Sequence, residues 1–224
     1  MAEIVLIIGR SGSGKSTSLR NFAQGEVAIV SVLGKTLPFK TQLKTFASTS
    51  YDTIKKAISG AINKGIKSIV IDDAGYLITT EFMSKSRESG YEKYNVLADN
   101  FYKLIQFAQS LPQGVIVYIV MHEEQNEFGG VKPKTIGKML DQQICIEGYF
   151  TIVLRAVKED GKYLFRTQTD GQDVTKSPMG LFSADAIDND LKAVDHAIRS
   201  YYQEEPKEEK KVEKVEGESN GTNQ

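Results

Sequence analysis

The sequence contains few of the residues that form disulfides or zinc sites. Its 224 residues include one cysteine, Cys145, and two histidines. A single cysteine excludes an intrachain disulfide, and these three residues cannot form a zinc site without carboxylate ligands. The chain also lacks a long apolar run, and a membrane-spanning helix needs about 20 apolar residues. Because the first strand begins almost at once, we expect no secretory signal, no membrane association and a cytoplasmic protein.

A strong excess of one charge is also missing, although the charges are unevenly distributed. The net charge is −1, and of the 28 basic and 29 acidic residues, four and seven lie in residues 203–224. Such a polar segment cannot bury enough apolar surface to fold. We therefore predict one domain over residues 1–202 and a disordered Glu/Lys-rich tail over residues 203–224, which could bind a protein partner. The balanced charge of the domain neither indicates nor excludes nucleic-acid binding.

The most specific motif lies near the start of the chain. Residues 9–16 fit the pattern G-x-x-x-x-G-K-[ST] at every fixed position and read Gly9-Arg10-Ser11-Gly12-Ser13-Gly14-Lys15-Ser16. The apolar run at residues 4–8 predicts a buried strand before the motif, and a helix-compatible segment with Leu19 and Phe22 follows it. An ordinary turn between strand and helix is the alternative, which the full match disfavours.

The residue types in this motif suit phosphate binding. Glycines let the backbone approach an anion with its N–H groups pointing inward, and the start of a helix adds partial positive charge. Lys15 can reach the outer phosphates, the Ser16 hydroxyl can coordinate magnesium, and Thr17 could contact the α-phosphate. The motif therefore predicts binding of ATP with Mg²⁺.

Strand-like and helix-like segments alternate along the rest of the domain. Further strands are predicted at residues 27–32, 68–73, 115–121, 149–157 and 163–169, and helices at 52–62, 96–110 and 189–201. The alternation predicts an α/β fold with a mainly parallel twisted sheet flanked by helices, plus a C-terminal β-hairpin and helix. Ligands of such sheets bind beyond the carboxyl ends of the strands.

Two aspartates, Asp72 and Asp73, close the strand predicted at residues 68–73. Asp72 would hold magnesium through water, because magnesium keeps several waters and takes few carboxylates. Asp73 is the favoured candidate for the base that activates the attacking water, since it lies nearest to the metal ligand. Glu81, Glu123 and Glu124 are the other candidates, and a strand-end turn with two solvated aspartates is the alternative for both aspartates.

His122 follows the strand predicted at residues 115–121 and could sense a γ-phosphate by donating a hydrogen bond. A plain polar strand end is the alternative. The next segment, residues 123–138, contains three glycines, the aromatic Phe128 and the lysines Lys132, Lys134 and Lys138. Lysines contact nucleic-acid phosphates and an exposed aromatic ring stacks on bases, so the segment could bind single-stranded DNA. A flexible solvated loop is the alternative.

These motifs resemble the RecA-type core of P-loop ATPases, and residues 3–200 are similar to small phage ATPases of that type. The similar stretches are Ile71-Asp72-Asp73, Tyr76-Leu77, Glu81-Phe82-Met83, Phe128-Gly129, Lys134-Thr135-Ile136-Gly137-Lys138-Met139-Leu140, Thr167-Gln168-Thr169-Asp170-Gly171 and Lys176-Ser177-Pro178. The resemblance implies a homo-oligomeric ATPase, His122 as nucleotide sensor, and mobile DNA-binding loops at residues 79–94 and 123–137. It also implies single-strand annealing recombination or replication in a phage, and thus the host cytoplasm.

The chain departs from the RecA pattern at one catalytic position. RecA proteins carry a catalytic glutamate after the second strand, whereas residues 31–35 contain no acid here, so hydrolysis is expected to be slow or to use Asp73. An AAA-type switch or a helicase-loader-like protein that binds protein is one alternative. A small-molecule kinase is another, which the lack of an arginine-rich lid disfavours. The lysines of residues 123–138 could also reach the ATP of a neighbouring subunit.

Overall fold

The computed structural model describes residues 1–87, 90, 92–136 and 145–202. The described strands are β1 Glu3–Gly9, β2 Val27–Ser31, β3 Thr45–Ala47, β4 Ser68–Asp72, β5 Ile116–Gln125, β6 Val131–Pro133, β7 Ile152–Glu159, β8 Lys162–Arg166 and β9 Ala186–Asp188. The described α-helices are α1 Tyr51–Asn63, α2 Gly75–Ser84, α3 Glu92–Ser110 and α4 Leu191–Tyr202, and the 3-10 helices are Ser16–Asn21 and Ile146–Tyr149. The predicted tail at residues 203–224, and Lys138, lie outside the described residues.

These strands form one sheet in the order β3-β2-β4-β5-β1-β7-β8-β9, with β6 paired to the end of β5. Neighbours from β3 to β7 run parallel, whereas β8 and β9 add antiparallel strands at one side. β1 lies between β5 and β7, and its last residue, Gly9, is level with His122 and Ala156. The carboxyl ends of β1, β4 and β5 therefore share one edge of the sheet.

Each face of the sheet is covered, which explains why the parallel strands are almost continuously apolar. Successive side chains of a strand point to opposite faces, so β1 contributes to two cores. Ile4, Leu6 and Ile8 pack in the core that holds α1, α2 and α3. Val5 and Ile7 pack in the core that holds α4 and Leu19. The prediction of an α/β fold with a mainly parallel sheet, helices on its faces and a C-terminal hairpin and helix is confirmed.

A buried polar network connects α4 to the amino-terminal parts of β4 and β5. Asp195 is 5% exposed and accepts hydrogen bonds from Ser68 Oγ at 2.8 Å, Tyr118 Oη at 3.0 Å and Arg199 Nε at 2.6 Å. Arg199 also donates to the carbonyl of Gly114 at 2.6 Å. Burial, followed by the charge of Asp195, raises the pKa of Tyr118 well above its ordinary value. The network lies at the opposite end of the sheet from Gly9.

The end of β5 and the region at residues 79–94 are among the places that differ from the sequence prediction. β5 does not end at Met121 but continues to Gln125, because Glu123, Glu124 and Gln125 pair with β6 after the strand passes its parallel neighbours. Within the region predicted as a mobile loop at residues 79–94, residues 79–84 belong to α2 and residues 92–94 belong to α3. Leu77 and Ile78 are fully buried, and this burial stabilises α2 despite the polar residues that follow. Among the described helices, none has both the length and the apolar composition needed to cross a bilayer.

Candidate functional site

The motif at residues 9–16 forms a tight loop between β1 and the 3-10 helix, and its glycines have steric reasons. A Cβ atom at Gly9 would lie 2.5 Å from Ser13 Oγ and 2.7 Å from the carbonyl oxygen of Ala156. Gly14 has a φ of 95°, in the left-handed region that side chains disfavour. The sequence pattern therefore encodes a backbone that larger residues could not adopt.

Lys15 is the central cation of this loop. Its side chain is 7% exposed, and Nζ donates to the carbonyls of Gly9 at 2.8 Å and Arg10 at 2.7 Å. Burial lowers the pKa of Lys15, and the charges of Asp73 and Asp72 oppose that shift. The ammonium is thus held by two carbonyls that phosphate oxygens could replace. The following helix is a six-residue 3-10 helix rather than a long α-helix.

Ser16 and Asp72 bring the loop into contact with β4. Ser16 Oγ donates to Asp72 Oδ2 at 2.9 Å. The other carboxylate oxygen, Asp72 Oδ1, is buried and has no hydrogen-bond partner in the described part of the chain. Burial, followed by the charge of Asp73, raises the pKa of Asp72. A divalent cation would satisfy this oxygen and offset both effects, so the pair fits magnesium.

The ligands available here, Ser16 and Asp72, suit magnesium better than metals that are bound entirely by protein side chains. Across the described residues, no three His, Cys, Asp or Glu side chains are grouped to hold a metal ion. Magnesium uses one or two carboxylates together with waters and substrate phosphates. Asp72 and Ser16 match that requirement, provided that a phosphate completes the shell.

Asp73 connects the ends of three neighbouring strands. Its Oδ2 lies 3.0 Å from Lys35 Nζ, just after β2, and its Oδ1 lies 3.3 Å from His122 Nε2 on β5. The hydrogen bond to Asp73 raises the pKa of Lys35. Burial, followed by the charge of Lys15, lowers the pKa of His122 and favours the neutral imidazole. A neutral His122 can donate one hydrogen bond and accept another.

The other candidate bases have different surroundings. Glu81 accepts hydrogen bonds from Lys85 at 2.8 Å and Asn100 at 2.7 Å, on the α2–α3 side of the fold. Glu123 is bound by Arg155 through two hydrogen bonds of 2.8 and 3.1 Å, and it also pairs with Arg10. Glu124 pairs across the hairpin with Lys132 at 3.4 Å.

A cavity of about 1160 Å³ opens at this edge of the sheet. Asp72, Asp73 and Glu123 contribute its negative charge, whereas Glu81 does not belong to its described lining. The cations in the described part of its lining are Arg10, Lys15, Lys35 and Lys134. A cavity of this size, with four described cations around three described carboxylates, suits a large polyanion that arrives with a metal cation.

The segment predicted to bind DNA, residues 123–138, lies partly on the β5–β6 hairpin and partly at the cavity. Phe128 is 93% exposed at the tip of the β5–β6 hairpin. The side chain of Asn126 shapes this tip by accepting from the backbone N–H groups of Phe128 at 3.0 Å and Gly130 at 2.8 Å. Lys132 lies on β6, whereas Lys134 lines the cavity.

Sequence reasoning missed the site residues whose positions depend on strand pairing. Lys35 reaches Asp73 because β2 neighbours β4, and Arg155 reaches Glu123 because β7 and β5 flank β1. Tyr163 lines the cavity because the hairpin places β8 beyond β7. The strand order of the sheet is the signal that would have identified them.

No family profile matches the chain, and no curated protein matches it significantly. Solved structures do match, among them the KaiC-like protein PH0186 from the hyperthermophilic archaeon Pyrococcus horikoshii OT3. That match has 14% sequence identity and a TM-score of 0.37, and it covers 73% of this chain and 76% of the other. The strand order and the helical layers of this chain define its α/β fold.

Proposed function

We propose that this protein binds ATP with magnesium and hydrolyses it. The observation that carries the proposal is the contact of 2.9 Å between Ser16 Oγ and Asp72 Oδ2, beside the buried Lys15. It joins a phosphate-binding loop to a carboxylate that has an unpaired oxygen. The order β2-β4-β5-β1-β7 places this carboxylate one strand away from the loop, which is compatible with the RecA-like core that the sequence resembles.

Several residues of the cavity then have chemical roles. Lys15 and the backbone N–H groups of the loop bind the outer phosphates, and Lys35 and Lys134 add positive charge. Ser16 and Asp72 hold magnesium, which supplies charge neutralisation at the phosphates when it is bound. Arg155 keeps Glu123 in a double hydrogen bond, so Glu123 is a poorer candidate base than Asp73.

Asp73 is the proposed base, and two side chains hold its carboxylate. Lys35 and His122 both lie within 3.3 Å of its carboxylate oxygens. A water molecule would have to displace one of these partners before Asp73 could accept its proton, so slow hydrolysis is expected.

The proposed partner of the ATPase is single-stranded DNA, bound through the β5–β6 hairpin. The exposed ring of Phe128 supports this proposal, because such a ring stacks on bases of any sequence. The hairpin extends the same strand that carries His122, so a nucleotide-dependent shift of His122 could reach Phe128. The sequence resemblance supports phage recombination or replication as the setting, with a homo-oligomer as the active form.

Steady-state ATP hydrolysis, measured with and without single-stranded DNA, tests this proposal. We expect magnesium-dependent hydrolysis that rises with DNA and is lost in Lys15→Ala. Lys67→Ala, which removes an exposed lysine near the amino end of β4, is the matched control and should retain activity. Hydrolysis that DNA does not change would favour the switch that binds a protein partner, and phosphorylation of a small molecule would favour a kinase.

A further inference from the structure

A second cavity lies between α1 and the β2–β3 side of the sheet. Its volume is about 610 Å³, and its described lining shares no residue with that of the cavity at the phosphate loop. β2 contributes residues 27–30 to this lining, and Ile58 and Ile69 add two branched apolar side chains. Because most of the described lining is apolar, the cavity has the size and the character of a small-molecule site.

The cavity is open because α1 faces it with residues that are too small to fill it. Ala57, Gly60 and Ala61 are spaced three and four residues apart, so they share one face of the helix. A Cβ atom added at Gly60 would meet no atom within 4 Å, and Gly60 does not have a positive φ. Neither backbone conformation nor close packing therefore requires a glycine here, and the space beside it can hold a ligand.

Two exposed lysines, Lys44 and Lys64, belong to the lining of this cavity, whereas its described part contains no carboxylate. Lys44 directly precedes β3, and the β2–β3 register puts it on a level with Ala28. Lys64 follows the last residue of α1. The surrounding segment, residues 40–67, has six lysines and one aspartate, so its net charge is +5 in a chain whose net charge is −1. An apolar cavity with cations at its rim complements a molecule with an apolar body and an anionic end.

We propose that this cavity binds an amphipathic anion, a small apolar molecule that carries one carboxylate. The apolar body occupies the space beside Gly60, and the carboxylate contacts Lys44 and Lys64. The site is separate from the proposed ATP site, since β4 and β5 lie between β2 and β1 in the sheet. A second copy of the chain that covers the cavity is the competing occupant.

Isothermal titration with octanoate, decanoate and neutral 1-octanol tests the chemistry of the ligand. Two more methylenes, at about 0.8 kcal/mol each, should make decanoate bind roughly 15-fold more tightly than octanoate. Lys44→Gln and Lys64→Gln should each weaken decanoate by about 2- to 5-fold and leave 1-octanol unchanged, because they remove an exposed charge contact. Lys56→Gln, at an exposed position of α1 outside the described lining, is the control. Unchanged decanoate affinity in both lining variants overturns the assignment of an anionic ligand.

Gly60→Leu tests the location of the site, since the new side chain enters open space and leucine is a better helix former than glycine. This variant should lose decanoate binding. Ser59→Leu, which adds the same side chain at the exposed neighbouring position, should keep it. Decanoate binding that Gly60→Leu leaves intact, or no binding to the wild type, overturns the proposal. A wild-type dimer that Gly60→Leu dissociates in sedimentation equilibrium also overturns it, because the cavity is then an interface between copies of the chain.

Discussion

Burial disfavours the charged forms of Lys15 and Asp72, the two central residues of the site. It lowers the pKa of Lys15 and raises the pKa of Asp72, and each of these charges partly restores the other. A phosphate beside Lys15 and a magnesium ion beside Asp72 would stabilise the charged form of both residues. The pair is thus better satisfied with a metal–phosphate ligand than without one, and this difference favours binding.

The two adjacent aspartates should separate binding from turnover. Asp72→Asn removes the metal partner, and loss of a residue that acts through water costs about 10–100-fold in metal affinity. Asp73→Asn should leave ATP binding almost unchanged and slow turnover by about 10²–10⁴-fold, as expected when a general base is removed. Titration and single-turnover kinetics measure the two effects, and wild-type turnover in Asp73→Asn would move the base to Glu123 or Glu81.

At the scale of elements, the β5–β6 hairpin presents one aromatic ring to solvent. Phe128→Ala should weaken binding of single-stranded DNA by about 1–3 kcal/mol if a base stacks there. Met179→Ala is a suitable control, because Met179 is 94% exposed on another loop. Each lysine that contacts a phosphate should change the log–log salt slope by about 0.7. Fluorescence anisotropy measures both, and equal affinities of wild type and Phe128→Ala would exclude the stacking role.

Helix α4 depends on the buried carboxylate of Asp195. Asp195→Ala should lower the free energy of unfolding by about 3–5 kcal/mol, because it leaves Arg199 and Tyr118 without their shared acceptor. Helix propensity works in the opposite direction, since alanine is the best helix former. Urea unfolding measures the loss of unfolding free energy. Ser200→Ala, which changes an exposed residue of the same helix, is the control. A loss below about 1 kcal/mol would show that the network contributes little.

Local patterns predicted the elements well where burial and spacing agreed. The runs that became β1, β2 and β4 are apolar because both faces of the sheet are covered, and the α1 pattern has one apolar face. β3 could not be foreseen, since its three exposed residues pair only with β2. The end of β5 was also missed, because its last residues pair with a strand later in the chain. Long-range pairing leaves little trace in a local window.

At the scale of the whole molecule, α4 is the last element in the described part of the chain. Composition predicts that residues 203–224 add nothing to the core. Removal of residues 203–224 should therefore change the melting temperature by less than about 2 °C, since about 1 kcal/mol shifts it by roughly 2–4 °C at this size. Calorimetry checks this result, and a large fall in melting temperature would show that the tail packs on the domain.

The central claim is that the edge of the sheet at Gly9, Asp72 and His122 binds ATP through Lys15 and magnesium. Isothermal titration of the full chain with ATP, in magnesium and again in excess EDTA, tests it most directly. We predict one site per chain in magnesium, weaker binding in EDTA, and loss of binding in a folded Lys15→Ala variant. Absence of binding to the wild type, or equal affinity in wild type and Lys15→Ala, would contradict the account.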